Sequence, residues 1–163
     1  MKRASFSFTI LLLVSLTGSL SCGSKMQYPS KFLTTFSLAK TIEGMNLHEL
    51  GLMYADTAST TSIGPPIYHR QEKDSLFTIE NSRIDTFDEA RFLSELREKL
   101  SQQIGDAGLK VMGGGTSGGG TFDIEYQSAQ FRGAIDLIGI RTAKDKYRVW
   151  CVVREFDYGP PQA

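Results

Sequence analysis

The sequence has few of the residues that carry most catalytic and metal chemistry. Among 163 residues there are two cysteines, Cys22 and Cys151, and two histidines, His48 and His69. Neither histidine has a second histidine one helical turn away, and neither lies in the context of a hydrolase triad. We therefore expect no catalytic residue, no metal and no cofactor.

The chain also lacks an excess of charge and, after its first 20 residues, a long apolar run. It has 18 basic and 18 acidic residues and no basic block. Nucleic-acid binding depends on neutralised phosphates, so no nucleic-acid partner is expected. No later apolar run approaches the ~20 residues that a membrane-spanning helix needs.

The first 22 residues, MKRASFSFTILLLVSLTGSLSC, have the composition of a secretory signal. Lys2 and Arg3 are followed by an apolar run over residues 6–16 and then by small residues. Removal of residues 1–21 takes away two basic residues and no acid. The remaining 142 residues then carry 16 basic and 18 acidic side chains, a net charge of about −2.

The end of this segment resembles the lipobox of bacterial lipoproteins in its permissive form. Ser19, Leu20 and Ser21 precede Cys22, where the favoured pattern has Leu three residues before the cysteine. The resemblance implies cleavage between Ser21 and Cys22 and a lipid on the Cys22 thiol. Because Gly23 follows the cysteine, the resemblance also implies that a cell with two membranes sorts the protein to the periplasmic side of the outer one. An ordinary secretory signal is the alternative.

Composition then divides the rest of the chain. Residues 22–30 are predicted to be a tether from the lipid, residues 31–158 a single α+β domain, and residues 159–163 a flexible tail. With Cys22 acylated, Cys151 has no disulfide partner, and its β-branched and aromatic neighbours predict a buried, unreactive side chain.

The clearest element is an amphipathic helix over about 87–105. Thr86 and Glu89 have the spacing of a capping box. Apolar residues then recur every three or four positions, which predicts the buried stripe Ala90, Leu93, Leu96, Leu100 and Ile104.

Four strands are predicted after this helix, over about 109–112, 121–127, 131–142 and 147–156. Their short connections favour an antiparallel meander. Phe122, Ile124 and Tyr126 alternate with polar residues and offer an apolar face on which the helix can pack. The expected fold is a two-layer α+β sandwich.

The first half of the domain is less clearly patterned. Residues 31–43 fit either a strand or a helix. The capping residues of 46–49 predict a short helix over about 46–55. Composition predicts a loop over 57–66, and residues 76–80 fit a strand.

The glycine-rich segment 113–120 follows a short strand, as phosphate-binding loops do. It lacks the lysine of a Walker motif, and a strand rather than a helix follows it. We interpret it as a mobile hairpin connection.

The acidic residues on the predicted strands have two settings. Asp123 and Glu125 fit a solvated face of the strand over 121–127, while Asp136 interrupts the otherwise apolar strand over 131–142.

Both faces of the last predicted strand carry apolar side chains. We expect residues 31–80 to cover the second face; the alternative is that this face binds a partner, with Tyr147 or Trp150 as the anchor.

The function predicted is a non-catalytic binding or assembly module, lipid-anchored in the envelope, with an envelope protein as partner. The alternative is a periplasmic enzyme, which would need a cavity lined by Asp136, His48 or His69.

Overall fold

The computed structural model describes residues 28–52, 56–65, 69–80, 86–117 and 119–158. The predicted signal peptide, with Ser21, lies outside these ranges, as do Cys22 and most of the predicted tether. The described elements, in chain order, are α1 (Lys31–Thr35), α2 (Leu38–Glu43), β1 (Asp56–Ile63), β2 (Arg70–Glu80), α3 (Glu89–Asp106), β3 (Lys110–Gly113), β4 (Thr116–Ser117), β5 (Thr121–Gln127), β6 (Phe131–Ala143) and β7 (Lys146–Asp157).

The strands form one antiparallel sheet in the order β1-β2-β7-β6-β5-β3, with the two-residue β4 also pairing with β5. The predicted meander is confirmed as the β3-β5-β6-β7 part of this sheet. The first half of the domain adds two strands beyond β7, because β2 pairs with β7 along eleven residues. The α+β class is confirmed.

Helix α3 covers one face of the sheet, as its periodicity predicted. Its buried residues are Phe92, Leu96, Leu100 and Ile104, four positions apart. Leu93 is half-buried and Ala90 is exposed, so the apolar stripe is turned slightly from the predicted one. Asp88, not Thr86, caps the helix, and its side chain accepts a hydrogen bond from the backbone N–H of Arg91 at 3.0 Å.

We call the face under α3 the inner face. It contributes Phe122, Ile124 and Tyr126 from β5 to the hydrophobic core, with Ile135, Leu137, Val149, Cys151, Val153, Phe77 and Ile79 from the other strands. Cys151 is fully buried and free, as expected. The predicted packing of the helix on Phe122, Ile124 and Tyr126 is confirmed.

The N-terminal segment also packs on the inner face. Residues 31–43, for which strand and helix were both open, form α1 and α2, whose N-caps are Ser30 and Ser37. Both helices contribute buried residues to the same core. The expectation that residues 31–80 cover the second face of the sheet is therefore wrong. Within the described ranges, no helix packs on that outer face.

Two local predictions in the first half are also wrong. Residues 57–63 belong to strand β1, not to a loop, because they pair with β2 in unbroken register and threonine suits a strand. Residues 46–52 form tight turns rather than a helix. The backbone N–H groups of 49–51 bond three residues back, and Gly51 adopts φ +85°, which ends any helical run.

Candidate functional site

A buried carboxylate lies where the described chain begins, and such groups are candidates for catalysis. Glu155 on β7 is fully buried. It accepts hydrogen bonds from the Ser30 backbone N–H at 2.8 Å, the Ser30 hydroxyl at 2.5 Å and the Tyr126 hydroxyl at 3.0 Å. Burial raises the pKa of Glu155, although these bonds oppose the shift. The carboxylate thus holds residue 30 to the sheet, although the sequence predicts that the tether extends through residue 30.

Lys73 on β2 has the matching role at the other end of α1. Its buried ammonium donates to the carbonyl oxygens of Leu33 at 3.3 Å and Thr34 at 3.1 Å, and also to that of Phe36. Burial lowers the pKa of Lys73. These contacts satisfy the last carbonyl groups of a short helix, so Lys73 is explained by structure alone.

The outer face carries exposed apolar side chains on the last two strands, although we expected residues 31–80 to cover them. Trp150 on β7 is 56 % exposed, and Ile138 and Ile140 on the adjacent β6 are 38 % and 50 % exposed. Trp150 lies between Leu76 and Ile138 in the sheet register. Together these four residues, which we call the Trp150 surface, form the floor of a groove of about 450 Å³.

Polar residues border this groove. Thr60, Thr61 and Ser62 of β1 line one side, and Asp74 and Arg148 lie beside Leu76 and Trp150. An apolar centre with a polar border is the usual composition of a protein-binding surface.

Three charged residues on the same face form ion pairs, namely Arg154, Asp136 and Glu72. Arg154 binds Asp136, with 2.5 Å between Nη2 and Oδ2, and its Nε lies 3.2 Å from Glu72. Asp136 pairs across the strands with Asp123, so Arg154 offsets a like-charge contact. This accounts for the acid that interrupts β6.

Tyr147 does not belong to the Trp150 surface, and its prediction as a partner contact is wrong. It is fully buried on the inner face, where its hydroxyl donates to Glu89 Oε1 at 3.1 Å. Its ring contacts Phe87 and Phe92 edge-on. Burial and the Glu89 carboxylate raise its pKa, so the hydroxyl stays neutral and donates. Residues three apart on a strand face opposite sides of the sheet, so Tyr147 and Trp150 could not share one surface.

The glycine-rich segment borders a cleft of about 670 Å³ beside α3. The Arg97 guanidinium donates to the Gly114 carbonyl at 3.1 Å, and the Gly115 N–H donates to Asp123 Oδ1 at 3.1 Å. A Cβ on Gly120 would lie 2.4 Å from the Gly139 carbonyl oxygen, so glycine is needed there for the close approach of two backbones. The segment is a connection between β3 and β5, as predicted, and it is held at several points.

The residues that the alternative function, a periplasmic enzyme, would require do not lie together. His48 and His69 are exposed, and His69 Nδ1 lies 3.8 Å from Asp157 Oδ2. Burial raises the pKa of the Cys151 thiol, which disfavours the reactive thiolate. None of the principal surface cavities in the described part of the chain is lined by His48, His69 or Asp136. Within the same ranges, no group of three metal-ligating side chains is found.

Comparison with family models, curated proteins and solved structures found no match to the chain. Among the helices described, none is both long enough and apolar enough to span a bilayer.

Proposed function

We propose that this chain is a lipid-anchored protein of the bacterial envelope whose domain binds a protein partner through the Trp150 surface. The lipid would attach to Cys22, and in a cell with two membranes Gly23 favours the outer one. The domain would then act by contact, holding its partner close to the membrane without catalysis.

The single observation that carries the proposal is the exposure of Trp150 at the centre of an open sheet face. A sheet with helices on one side leaves its other face to water, and such faces are normally polar. Here Leu76, Trp150, Ile138 and Ile140 are contiguous. Clustered exposed apolar residues with a polar border mark interaction sites, and tryptophan is among the residues most enriched at binding hot spots.

The surroundings of the groove favour a protein partner over a small ligand. The groove is open, since Ile138, Ile140 and Trp150 of its floor are 38–56 % exposed. Small-molecule sites instead enclose most of the ligand. The hydroxyl groups of β1 and the charges of Asp74 and Arg148 can form the polar rim of a protein interface.

Site-specific photocrosslinking in intact cells tests the contact. A photoreactive residue at Ile138 should form a product of defined mass with one partner, because this side chain adjoins Trp150. The same residue at Gln102, exposed on the far side of α3, is the control and should form none. Trp150→Ala should abolish the product from position 138. Equal products at both positions, or none at 138, would contradict the proposal.

A further inference from the structure

The described chain begins at one end of the sheet, where β7 ends and β6 begins. The Tyr28 ring lies 6.3 Å from the Phe131 ring, and the Tyr28 hydroxyl lies 3.4 Å from the Glu155 carbonyl oxygen. Ser30 is held by the Glu155 carboxylate. We call this the proximal end, because the segment that leads to Cys22 leaves the domain here.

Three exposed apolar side chains cluster at the proximal end. Met112 is 48 % exposed, Phe156 41 % and Tyr158 50 %, and they line one open cavity of about 630 Å³. We call them the proximal patch. They come from two different parts of the chain, the β3 strand and the end of β7. Their proximity is therefore a property of the fold and not of a local sequence run.

Two arginines flank the patch. Phe156 pairs with Arg70 on one side and Arg132 on the other. The Arg70 guanidinium lies over the Phe156 ring, 5.5 Å from its centroid. Acids are also present, since Glu72 binds Arg70 and Glu125 lines the cavity. Aromatic rings beside arginines are typical of side chains at the level of lipid headgroups.

The length of the tether decides which surface this patch meets. Only residues 22–27, six in all, lie between the predicted cleavage site and Tyr28, the first described residue of the domain. An extended chain rises at most about 3.3–3.6 Å per residue, so Cys22 lies within roughly 20 Å of Tyr28. Trp150 is six positions before Phe156 on β7, roughly 20 Å farther along the strand at about 3.3 Å per residue. A lipid on Cys22 thus keeps the proximal end near the bilayer and allows the Trp150 surface to stand away from it.

We infer that the proximal patch rests on the lipid surface, with Phe156, Tyr158 and Met112 in the headgroup region and Arg132 at anionic headgroups. This inference rests on the proposed function, because it requires the lipid on Cys22. It fixes the orientation of the domain and presents the Trp150 surface sideways to a partner.

The single tryptophan of the chain makes a direct test possible. The full acylated protein is reconstituted in vesicles of phosphatidylcholine and phosphatidylglycerol that contain brominated acyl chains, which quench nearby tryptophan. Three chains are compared: the unchanged protein, Trp150→Phe with Tyr158→Trp, and Trp150→Phe with Lys144→Trp. The last places the reporter on the exposed turn at the opposite end of the sheet.

The emission of the Tyr158→Trp chain should fall at least about twofold in brominated vesicles, as expected for a ring in the interface. The unchanged protein and the Lys144→Trp chain should change little. Trp150→Phe with Met112→Trp gives a second report from the patch if the first variant folds poorly. Stronger quenching of Trp150 than of the patch positions, or no difference among positions, would overturn the inference.

Intact mass, measured before reconstitution, separates the two proposals. A chain without acyl groups would overturn the lipid anchor and this inference together. An acylated chain whose patch reporters are not quenched would overturn only the orientation inferred here.

Discussion

The carboxylate of Glu155 and the ammonium of Lys73 bind opposite ends of the same short helix. Glu155 accepts from the Ser30 N–H at the start of α1, and Lys73 donates to the Leu33 and Thr34 carbonyls at its end. The two charges have the signs that the helix dipole favours at each end. The segment that leads to the proposed anchor is therefore attached to two neighbouring strands at once.

Glu155 makes a specific pH dependence of stability predictable. Its folded pKa is raised by burial, so the folded state holds the proton more tightly than the unfolded state. The contribution of this group is fully present below about pH 4.3, the unfolded value, and is lost as the pH rises through the folded value. The free energy of unfolding of the wild type, minus that of Glu155→Gln, should therefore fall with rising pH. Urea unfolding over a pH series measures it, with exposed Glu125→Gln as control. A difference that stays constant or grows would contradict this account.

Lys73→Met should destabilise the domain by about 1.5–3 kcal/mol or more, because it leaves buried carbonyl groups of α1 without a donor. Lys110→Met is the matched control, since Lys110 is exposed, and it should stay within about 0.5 kcal/mol. Chemical unfolding of the purified variants gives both values. Equal stability of the two variants would show that Lys73 does not hold the helix.

Two glycines should respond in opposite directions to alanine. A Cβ on Gly139 would lie 2.0 Å from the Tyr147 hydroxyl oxygen, so Gly139→Ala should cost about 1–3 kcal/mol by overpacking. The cost should be smaller in a Tyr147→Phe background, where that oxygen is absent. Gly105 lies within α3 with no neighbour within 4 Å, so Gly105→Ala should stabilise by roughly 0.5–1 kcal/mol. Additive effects at positions 139 and 147 would count against the contact.

Trp150→Ala should leave the free energy of unfolding within about 0.5 kcal/mol of the wild type, because the ring is more than half exposed. Leu96→Ala, fully buried on α3, should cost about 2–5 kcal/mol. Thermal unfolding followed by circular dichroism compares them. A large loss from Trp150→Ala would mean that the ring supports the fold, and its effect on crosslinking would no longer report on contact.

The spacing of apolar residues was sufficient to predict an element where only one of its sides is buried. Phe122, Ile124 and Tyr126 alternate because α3 covers only one face of β5, and the α3 stripe is the counterpart of that face. Strand β1 has no such pattern, since its residues from 57 onward are exposed on both faces. Its threonines and serines therefore had the composition of a loop, although pairing with β2 makes them a strand.

The candidate site was predicted only in part, for a geometric reason. Both faces of β7 carry apolar residues, so its pattern could not show which face would meet α3. The fold buries Tyr147 and leaves Trp150 exposed. The roles of Glu155 and Lys73 depend on partners far away in sequence, such as Ser30, which is 125 positions from Glu155. No local pattern in the sequence marks such pairs.

Metabolic labelling with a fatty acid shows whether a lipid on Cys22 holds this domain to a membrane. The wild type should incorporate the label and remain with the membrane fraction, because each buried acyl CH₂ contributes about 0.8 kcal/mol to binding. Cys22→Ala should carry no label and should lose its membrane association or remain uncleaved. A wild type without label, or equal label in the Cys22→Ala chain, would contradict the account.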